Sequence, residues 1–155
     1  MNTIESFKVN HLKLKTGLYV SRKDRFNGVT VTTFDMRFTM PNKEPVMEPA
    51  EIHTIEHLGA TFFRNGAFCD KVVYFGPMGC RTGFYLVLFG DLSPEEIYPE
   101  VKRAMEFIVN FTGEIPGATA RECGNYLDQN LAGAKKRAAE YLRRLENDKA
   151  FKYEE

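Results

Sequence analysis

Two of the three histidines in this chain of 155 residues lie in the stretch His53-Thr54-Ile55-Glu56-His57. On an α-helix, at about 100° per residue, His57 lies about 40° round from His53 and Glu56 about 60° round on the other side. All three side chains therefore share one helix face. Neutral imidazoles bind divalent metal ions, and a carboxylate one turn away can take up protons without being a ligand. The same pattern fits a hydrogen-bonded surface pair, so a metal site needs further ligands.

Three cysteines supply candidate ligands. A catalytic zinc-type site takes three protein ligands and keeps one position open for water or substrate. Cys123 precedes a glycine and is predicted at the start of the last helix, where the helix dipole favours a thiolate. Cys80 also lies in a glycine-containing turn, so spacing alone does not choose between them. Cys69 has no glycine beside it and is expected to be a half-buried bystander.

A strand and a helix are predicted to position the histidine motif. Apolar and polar residues alternate from 28 to 40, which predicts a strand with one wet face. The apolar face carries Phe34, Met36, Phe38 and Met40, and the wet face carries Thr33, Asp35, Arg37 and Thr39. Prolines then break the strand, and a helix of about 15 residues is predicted from Pro49 to Asn65-Gly66. Its inward stripe comprises Ile52, Ile55, Leu58 and Phe62.

Turn and capping signals divide the rest of the chain. Apolar runs at 72–75 and 83–90, joined by a Gly-Pro turn, predict a hairpin. The sequence Ser93-Pro94-Glu95-Glu96 predicts a capping box that opens a second helix. The last helix has an apolar side formed by Leu131, Ala134, Ala138, Tyr141 and Leu145. Because strands and helices do not alternate as βαβ units, we predict an α+β fold, an antiparallel sheet with helices packed on one face.

Length and charge limit the function classes. A chain of 155 residues is expected to form a single domain, residues 1–155. The 21 basic and 21 acidic residues balance, so we expect no nucleic-acid partner and interpret the basic residues of the last helix as a solvated face. The N-terminal residues do not resemble a signal peptide, and the longest apolar run, Phe84 to Phe89, is too short for a membrane helix. We therefore expect a cytoplasmic protein that binds no membrane.

The small number of short elements also bears on where a site can form. A deep pocket inside one subunit would be hard to build from them, so a site shared between subunits is favoured.

Several segments, in their order and separation, resemble one enzyme family. HTIEHLGATFFRNG, GPMGCRTGFYL and RECGNYLDQNL, with IESFKVNH and FDMRFTMPN before them, are similar to S-ribosylhomocysteine lyase, the LuxS family of bacteria. The resemblance covers nearly the whole chain. It implies a homodimer with two shared active sites and one divalent metal ion per subunit, Fe²⁺ in the cell and often Zn²⁺ or Co²⁺ after purification.

The resemblance also implies a role for each candidate residue. His53, His57 and Cys123 would be the metal ligands, Glu56 the general base and Cys80 the second acid/base group. Ser6, His11 and Arg37 match residues that reach the substrate from the partner subunit. Arg81, adjacent to Cys80, is a further candidate for substrate binding and for favouring the Cys80 thiolate, although neighbours in an extended segment point to opposite faces.

The family's reaction converts S-ribosylhomocysteine to homocysteine and 4,5-dihydroxy-2,3-pentanedione, a signal precursor, in the recycling of S-adenosylhomocysteine. The open-chain sugar has its aldehyde at C1 and sulfur on C5, so the carbonyl must migrate to C3 before the C4 proton becomes acidic. Each migration removes and returns a proton. Two proton carriers on opposite sides of the carbon chain and a Lewis acid for the oxyanions would serve this chemistry, with no nicotinamide.

Three positions depart from the family pattern. Tyr74 stands where an aspartate is common, Gly76 where serine is usual and Met40 where glutamine is common. In the family the aspartate helps to hold the homocysteine end, so the change at position 74 bears on substrate affinity.

The histidine motif has two other interpretations, each of which requires a metal ligand in addition to the two histidines. Inverzincin metallopeptidases share the HxxEH pattern, but they use a distant glutamate as third ligand and a much longer chain. A non-catalytic binding module would instead hold a closed structural metal site, with Cys80 as the candidate fourth ligand.

Overall fold

The computed structural model describes residues 4–154, apart from the side chains of residues 5 and 6. Its helices and strands, in chain order, are α1 (Glu5–Lys8), β1 (Gly17–Phe26), β2 (Val29–Arg37), α2 (Pro49–Asn65), β3 (Val72–Pro77), β4 (Gly83–Phe89), α3 (Pro94–Asn110) and α4 (Leu131–Asp148). Across residues 4–154, none of the helices combines the length and the apolar character that crossing a bilayer requires.

The four strands form one antiparallel sheet in the order β1-β2-β4-β3. Asn27 and Gly28 join β1 to β2, and both have positive φ, 48° and 79°. This backbone is typical of the two-residue hairpin turns that match the twist of a sheet. The strand predicted over 28–40 is confirmed in its main part as β2, and the hairpin predicted from the two apolar runs is confirmed as β3 and β4.

One face of the sheet packs against α2, α3 and α4, as the predicted α+β class requires. Phe34, Met36 and Phe84 on this face have essentially no solvent exposure. The buried helix residues that meet them are Ile52, Ile55, Leu58, Phe63, Ile97, Val101, Met105, Ala134, Ala138, Tyr141 and Leu145. Phe62, predicted to point inward, is only partly buried, because Phe63 takes the core position, with its ring centroid 5.2 Å from that of Phe75.

The prediction of a wet face on β2 is wrong. Thr33, Asp35, Arg37 and Thr39 are 6%, 2%, 3% and 5% exposed. Segments from both ends of the chain lie over this second face, and Tyr153 near the C terminus stacks on Tyr19 of β1 with ring centroids 4.6 Å apart. Because chain segments outside the regular elements cover it, alternation in the strand could not reveal the burial.

The capping box predicted for α3 is confirmed, and α2 has a second one, which was not predicted, beside the predicted Pro49. In α3, Ser93 and Glu96 form the predicted reciprocal capping box, with Pro94 in the first turn. In α2, Glu48 and Glu51 do the same around Pro49. These caps fix where α2 begins, and therefore which way its histidines face.

The last helix begins at Leu131, the first residue of its predicted apolar side. The prediction that Cys123 lies at the start of this helix is wrong, because Cys123 is in the preceding loop. Two of its basic side chains are not simply solvated, because Arg137 pairs with Glu51 at 2.9 Å and Arg144 with Glu44 at 2.8 Å. These ion pairs connect α4 to the first turn of α2 and to the segment before it.

Gly59 lets α2 approach the sheet closely. A Cβ atom there would lie 2.8 Å from Cζ of Phe75, which real Cβ atoms essentially never do. Since Phe75 is itself stacked on Phe84 at 5.2 Å, the ring cannot retreat freely. We expect Gly59→Ala to lower the free energy of unfolding by roughly 1 to 3 kcal/mol through overpacking, although alanine favours helix. Urea unfolding of the metal-free protein measures this.

Gly124→Ala is the matched control, because nothing lies within 4 Å of a Cβ at that position. It should change the unfolding free energy by less than about 0.5 kcal/mol. Equal stability of the Gly59→Ala protein and wild type would contradict the close packing of α2 on β3.

Candidate active site

Helix α2 and the loop before α4 bring three ligand atoms together. Nε2 of His53 lies 3.0 Å from Nε2 of His57 and 3.4 Å from Sγ of Cys123. The ligand atoms of all three residues lie within 4.8 Å of one another. Among residues 4–154, this is the group of histidine, cysteine and acidic side chains whose atoms are close enough to hold a metal ion.

Backbone carbonyls fix the tautomer of both imidazoles. Nδ1 of His53 lies 2.8 Å from the carbonyl oxygen of Asp128, and Nδ1 of His57 lies 2.8 Å from that of Pro116. A carbonyl oxygen only accepts hydrogen bonds, so each Nδ1 carries the proton and each Nε2 presents a lone pair. Two lone pairs that face each other at 3.0 Å repel unless a cation lies between them. The donor set therefore fits a divalent metal ion.

Gly117 makes one of these carbonyl contacts possible. Its φ is +74°, and a Cβ there would lie 3.2 Å from Nδ1 of His57. A residue with a side chain would thus be strained and would crowd the ring that the Pro116 carbonyl orients. Sequence reasoning missed the carbonyls of Pro116 and Asp128, because a main-chain acceptor leaves no residue-type signature. The only available signal was a Pro-Gly pair in the loop.

Cys123 is held in a turn, not by a helix dipole. Its N–H donates to the Thr119 carbonyl at 2.9 Å, and the N–H of Asn125 lies 3.4 Å from its sulfur. The thiolate is the form that binds metals, and the Asn125 amide directed at the sulfur helps to fix its position. The side chain is partly buried, so the turn shields it while leaving one side open.

Glu56 shares the cleft of the three ligands. It is half-buried on the same face of α2 as His53 and His57. The cleft has a volume of 490 Å³ and is also lined by Gly117 and Glu122. The prediction that His53, Glu56 and His57 share one helix face is confirmed. The Glu56 carboxylate therefore lies in the same cleft as the two imidazoles and the Cys123 thiol.

Cys80 lies elsewhere, in a second cavity of 220 Å³ that His11 and Arg37 also line. Nη1 of Arg37 is 3.9 Å from the Cys80 sulfur and 2.6 Å from Oγ1 of Thr82. Thr82 in turn lies 3.0 Å from that sulfur. The structure thus groups Cys80 with His11 and Arg37, and sequence reasoning had missed Thr82.

A buried ion pair forms the floor of this second cavity. Nη2 of Arg37 donates to Oδ2 of Asp35 at 2.6 Å. Burial raises the pKa of the Asp35 carboxyl, while the Arg37 guanidinium and the Tyr153 hydroxyl pull it down. Oδ1 of Asp35 and Nε of Arg37 are buried without a hydrogen-bond partner among the described residues. Burying a polar atom without a hydrogen-bond partner costs free energy, and such atoms are typical of a surface that binds a polar ligand.

The two cavities lie on opposite sides of the sheet. Helix α2, with its histidines, packs against the face that presents Phe34 and Met36. Asp35 and Arg37 alternate with those residues and so point the other way. Within one chain, the metal-binding cleft and the Cys80 cavity are therefore separated by the sheet.

Two predicted substrate-binding residues are not placed in either cavity. Arg81 has a φ of 60° and directs Nη1 toward the Met47 carbonyl at 3.4 Å, away from the residues that line the Cys80 cavity. Ser6 lies in α1, but its side chain falls outside the described part of the chain. His11 does line the cavity, and its Nδ1 lies 2.8 Å from the Val9 carbonyl.

The unusual residues Tyr74 and Gly76 are in contact. A Cβ at position 76 would lie 2.8 Å from Cε1 of Tyr74, so the tyrosine ring covers the space a side chain would need. Cys69, expected to be half-buried, is exposed.

The chain resembles known proteins over almost its full length. The family model described as S-ribosylhomocysteinase (LuxS) matches residues 4–152. A protein named S-ribosylhomocysteine lyase from Clostridium acetobutylicum is 63% identical over 132 residues, which is 84% of each chain. Proteins of the same name from Finegoldia magna and Borreliella burgdorferi are 58% and 52% identical, and each match covers at least 95% of both chains.

Sequence identity at this level, over so much of each chain, is enough to assign the family. The grouping of two imidazoles and a thiol close enough to hold a metal ion agrees with that assignment. The chain belongs to the S-ribosylhomocysteinase (LuxS) family.

Proposed function

We propose that residues 1–155 form one lyase domain that cleaves the thioether of S-ribosylhomocysteine, releasing homocysteine and 4,5-dihydroxy-2,3-pentanedione. The observation that carries this proposal is the cluster of His53, His57 and Cys123 with Glu56 in the same cleft. The relatives that bear the lyase name support the choice of substrate.

His53, His57 and Cys123 would hold one divalent ion per subunit, Fe²⁺ by family resemblance, with Zn²⁺ or Co²⁺ as substitutes. Two Nε2 atoms and one thiolate are the donors of an open site, which has room for a further ligand. When bound, the ion supplies Lewis-acid stabilisation of negative charge on the sugar oxygens.

Glu56 and Cys80 would move the protons. Glu56 takes a proton from one carbon of the open-chain sugar and returns it to the next, so that the carbonyl moves from C1 toward C3. Cys80 acts from the opposite side of the carbon chain. Once the carbonyl is at C3, removal of the C4 proton expels the sulfur from C5. That sulfur takes up a proton and leaves as homocysteine, so the reaction is redox-neutral.

A homodimer would unite the two halves of this site. Glu56 opens into the metal-binding cleft, whereas Cys80, Arg37 and His11 line a cavity on the other side of the sheet. A two-fold axis that places one chain's cavity against the partner's cleft completes two equivalent sites. Exposed apolar side chains near both regions support such a contact, since Phe7 is 75% exposed and Leu127 is 79% exposed. In this arrangement Cys80 and Arg37 come from the same chain.

We further propose that the protein acts in the cytoplasm, in the recycling of S-adenosylhomocysteine, with a product that can serve as a precursor of a quorum signal. Three unpaired cysteines, of which two would have chemical roles, suit a reducing compartment. The proposed partners are the substrate and a second copy of the chain, without nucleic acid or membrane.

The two competing functions lack a comparable observation. Within the described residues, the metal-binding group contains neither Cys80 nor a glutamate as an additional ligand. A closed structural site needs that fourth ligand, and an inverzincin peptidase needs a glutamate as its third. The geometry thus favours an open site over both.

Protein purified without oxygen should release free thiol from S-ribosylhomocysteine. Glu56→Gln should keep its metal and lower the rate by roughly 10² to 10⁴, because an amide cannot take the proton. A thiol-reactive dye follows the rate, and metal analysis checks the ion content. Glu122→Gln is the matched control in the same cleft and should retain most activity. A wild-type protein that releases no thiol would refute the proposed reaction.

Metal content should separate the roles of two cysteines. Cys123→Ala leaves two imidazoles, which are too few for a tight site, so metal and activity should fall together. Cys80→Ala should keep one ion per chain while losing activity. Elemental analysis of both purified proteins tests this, with Cys69→Ala as the control at an exposed cysteine. Loss of metal in Cys80→Ala would instead indicate a closed four-ligand site.

Mixed dimers should reveal which chain supplies Cys80. Glu56→Gln and Cys80→Ala are each expected to be inactive, but half of the randomly reassorted dimers pair the two variants, with one intact site of two. Activity should therefore return to about one quarter of wild type. Thiol release after co-expression with different tags measures the recovery.

The control pair is Arg37→Ala with Cys80→Ala. Both residues lie in one cavity, so each mixed dimer would have one damaged residue in each of its two sites, and no recovery is expected. If Glu56→Gln with Cys80→Ala stayed inactive despite confirmed mixed dimers, the shared-site arrangement would be wrong.

A further inference from the structure

The C-terminal residues 149–154 fold back across the second face of the sheet. Lys149 ends α4 in the left-handed conformation, with φ of 43°, and so turns the chain. The Leu18 N–H then donates to the Ala150 carbonyl at 2.9 Å, and the ring of Phe151 packs 5.4 Å from that of Tyr98. These contacts fix the path of the segment before it reaches the Cys80 cavity.

Tyr153 is the residue of this segment that enters the cavity. Its ring stacks on Tyr19, nearly parallel at 16°, and its hydroxyl donates to Oδ2 of Asp35 at 3.0 Å. Burial raises the pKa of the Tyr153 phenol above its ordinary value, so the hydroxyl stays protonated and remains a donor. The same Oδ2 atom accepts the hydrogen bond from Nη2 of Arg37.

An unbroken series of contacts leads from this hydroxyl to the Cys80 sulfur. Asp35 holds one end of the Arg37 guanidinium, and the other end, Nη1, lies 2.6 Å from Thr82 and 3.9 Å from Cys80. A guanidinium is planar and rigid, so a carboxylate that fixes one nitrogen also fixes where the other points. The Tyr153 hydroxyl supplies a second donor to Oδ2 of Asp35, which opposes the rise in the Asp35 pKa that burial causes and orients the carboxylate for this task.

We propose that Tyr153 is a positioning residue for Cys80: its hydroxyl orients Asp35, and Asp35 sets the Arg37 guanidinium that supports the Cys80 thiolate. The consequence for turnover rests on the proposed lyase function, whereas the consequence for Cys80 reactivity does not. The segment that follows α4 is therefore part of the catalytic apparatus, although it touches neither metal ligand nor Glu56.

The test is Tyr153→Phe in the metal-loaded protein, which keeps the ring on Tyr19 and removes only the hydroxyl. Brief labelling with iodoacetamide, read by peptide mass spectrometry, gives the ratio of Cys80 to Cys69 modification. Both thiols are exposed, so Cys69 is an internal reference in the same molecule. With the guanidinium no longer fixed, the ratio should fall about three- to tenfold. In turnover assays kcat should fall by a similar factor, with a smaller change in KM.

Tyr98→Phe is the matched control, because it removes a phenol hydroxyl from the partner of Phe151 without touching Asp35. Its labelling ratio and kcat should equal those of wild type. An unchanged or higher ratio in Tyr153→Phe, an equal fall in both variants, or a change confined to KM would each overturn the positioning role. The two proposals can fail separately. If Tyr153→Phe lowers the labelling ratio but the wild-type protein releases no thiol from S-ribosylhomocysteine, the positioning role stands and the lyase function is rejected.

Discussion

Burial of strand β2 on both faces, from Thr32 to Arg37, is the constraint from which the rest of the structure follows. The helices cover the face of Phe34 and Met36, while both chain ends cover the face of Asp35 and Arg37. A guanidinium and a carboxylate buried in that position lose their hydration, and the ion pair between Arg37 and Asp35 offsets the free energy that this desolvation costs. The same sheet keeps the metal-binding cleft away from the Cys80 cavity. The proposed reaction, which uses both, would therefore bring together two copies of the chain.

The metal-binding cleft depends on contacts that are mostly main-chain. Helix α2 sets the spacing of His53 and His57, but the carbonyls of Pro116 and Asp128 decide which nitrogen each ring presents. These carbonyls belong to the loop that also carries Cys123. Folding of one loop thus brings Cys123 to the two imidazoles and orients both rings, so the three groups that could hold a metal ion are positioned together.

Local patterns in the sequence were sufficient for α2, the β3–β4 hairpin and the capped start of α3, because turn and cap residues act over a few positions. They failed where distant segments decide. Burial of Asp35 depends on Tyr153, more than one hundred positions away. The helix dipole expected at Cys123 is absent, because Cys123-Gly124 lies in a turn of the loop before α4. Sequence spacing left open which cysteine joins His53 and His57, since glycine turns surround both Cys80 and Cys123, and only the family resemblance indicated Cys123.

The departures at Tyr74 and Gly76 are one structural change and not two. The Tyr74 ring occupies the volume that a side chain at position 76 would fill, so the glycine makes room for the tyrosine. Tyr74 is half exposed and lines a groove with Tyr85, whose ring also borders the Cys80 cavity. This chain therefore has an aromatic surface at that border, where the family resemblance leads us to expect an acidic one. Arg37 contacts Asp35, Thr82 and Cys80, and none of these contacts involves Tyr74. The change therefore bears on what approaches the cavity, and it leaves the groups that support the thiol in place.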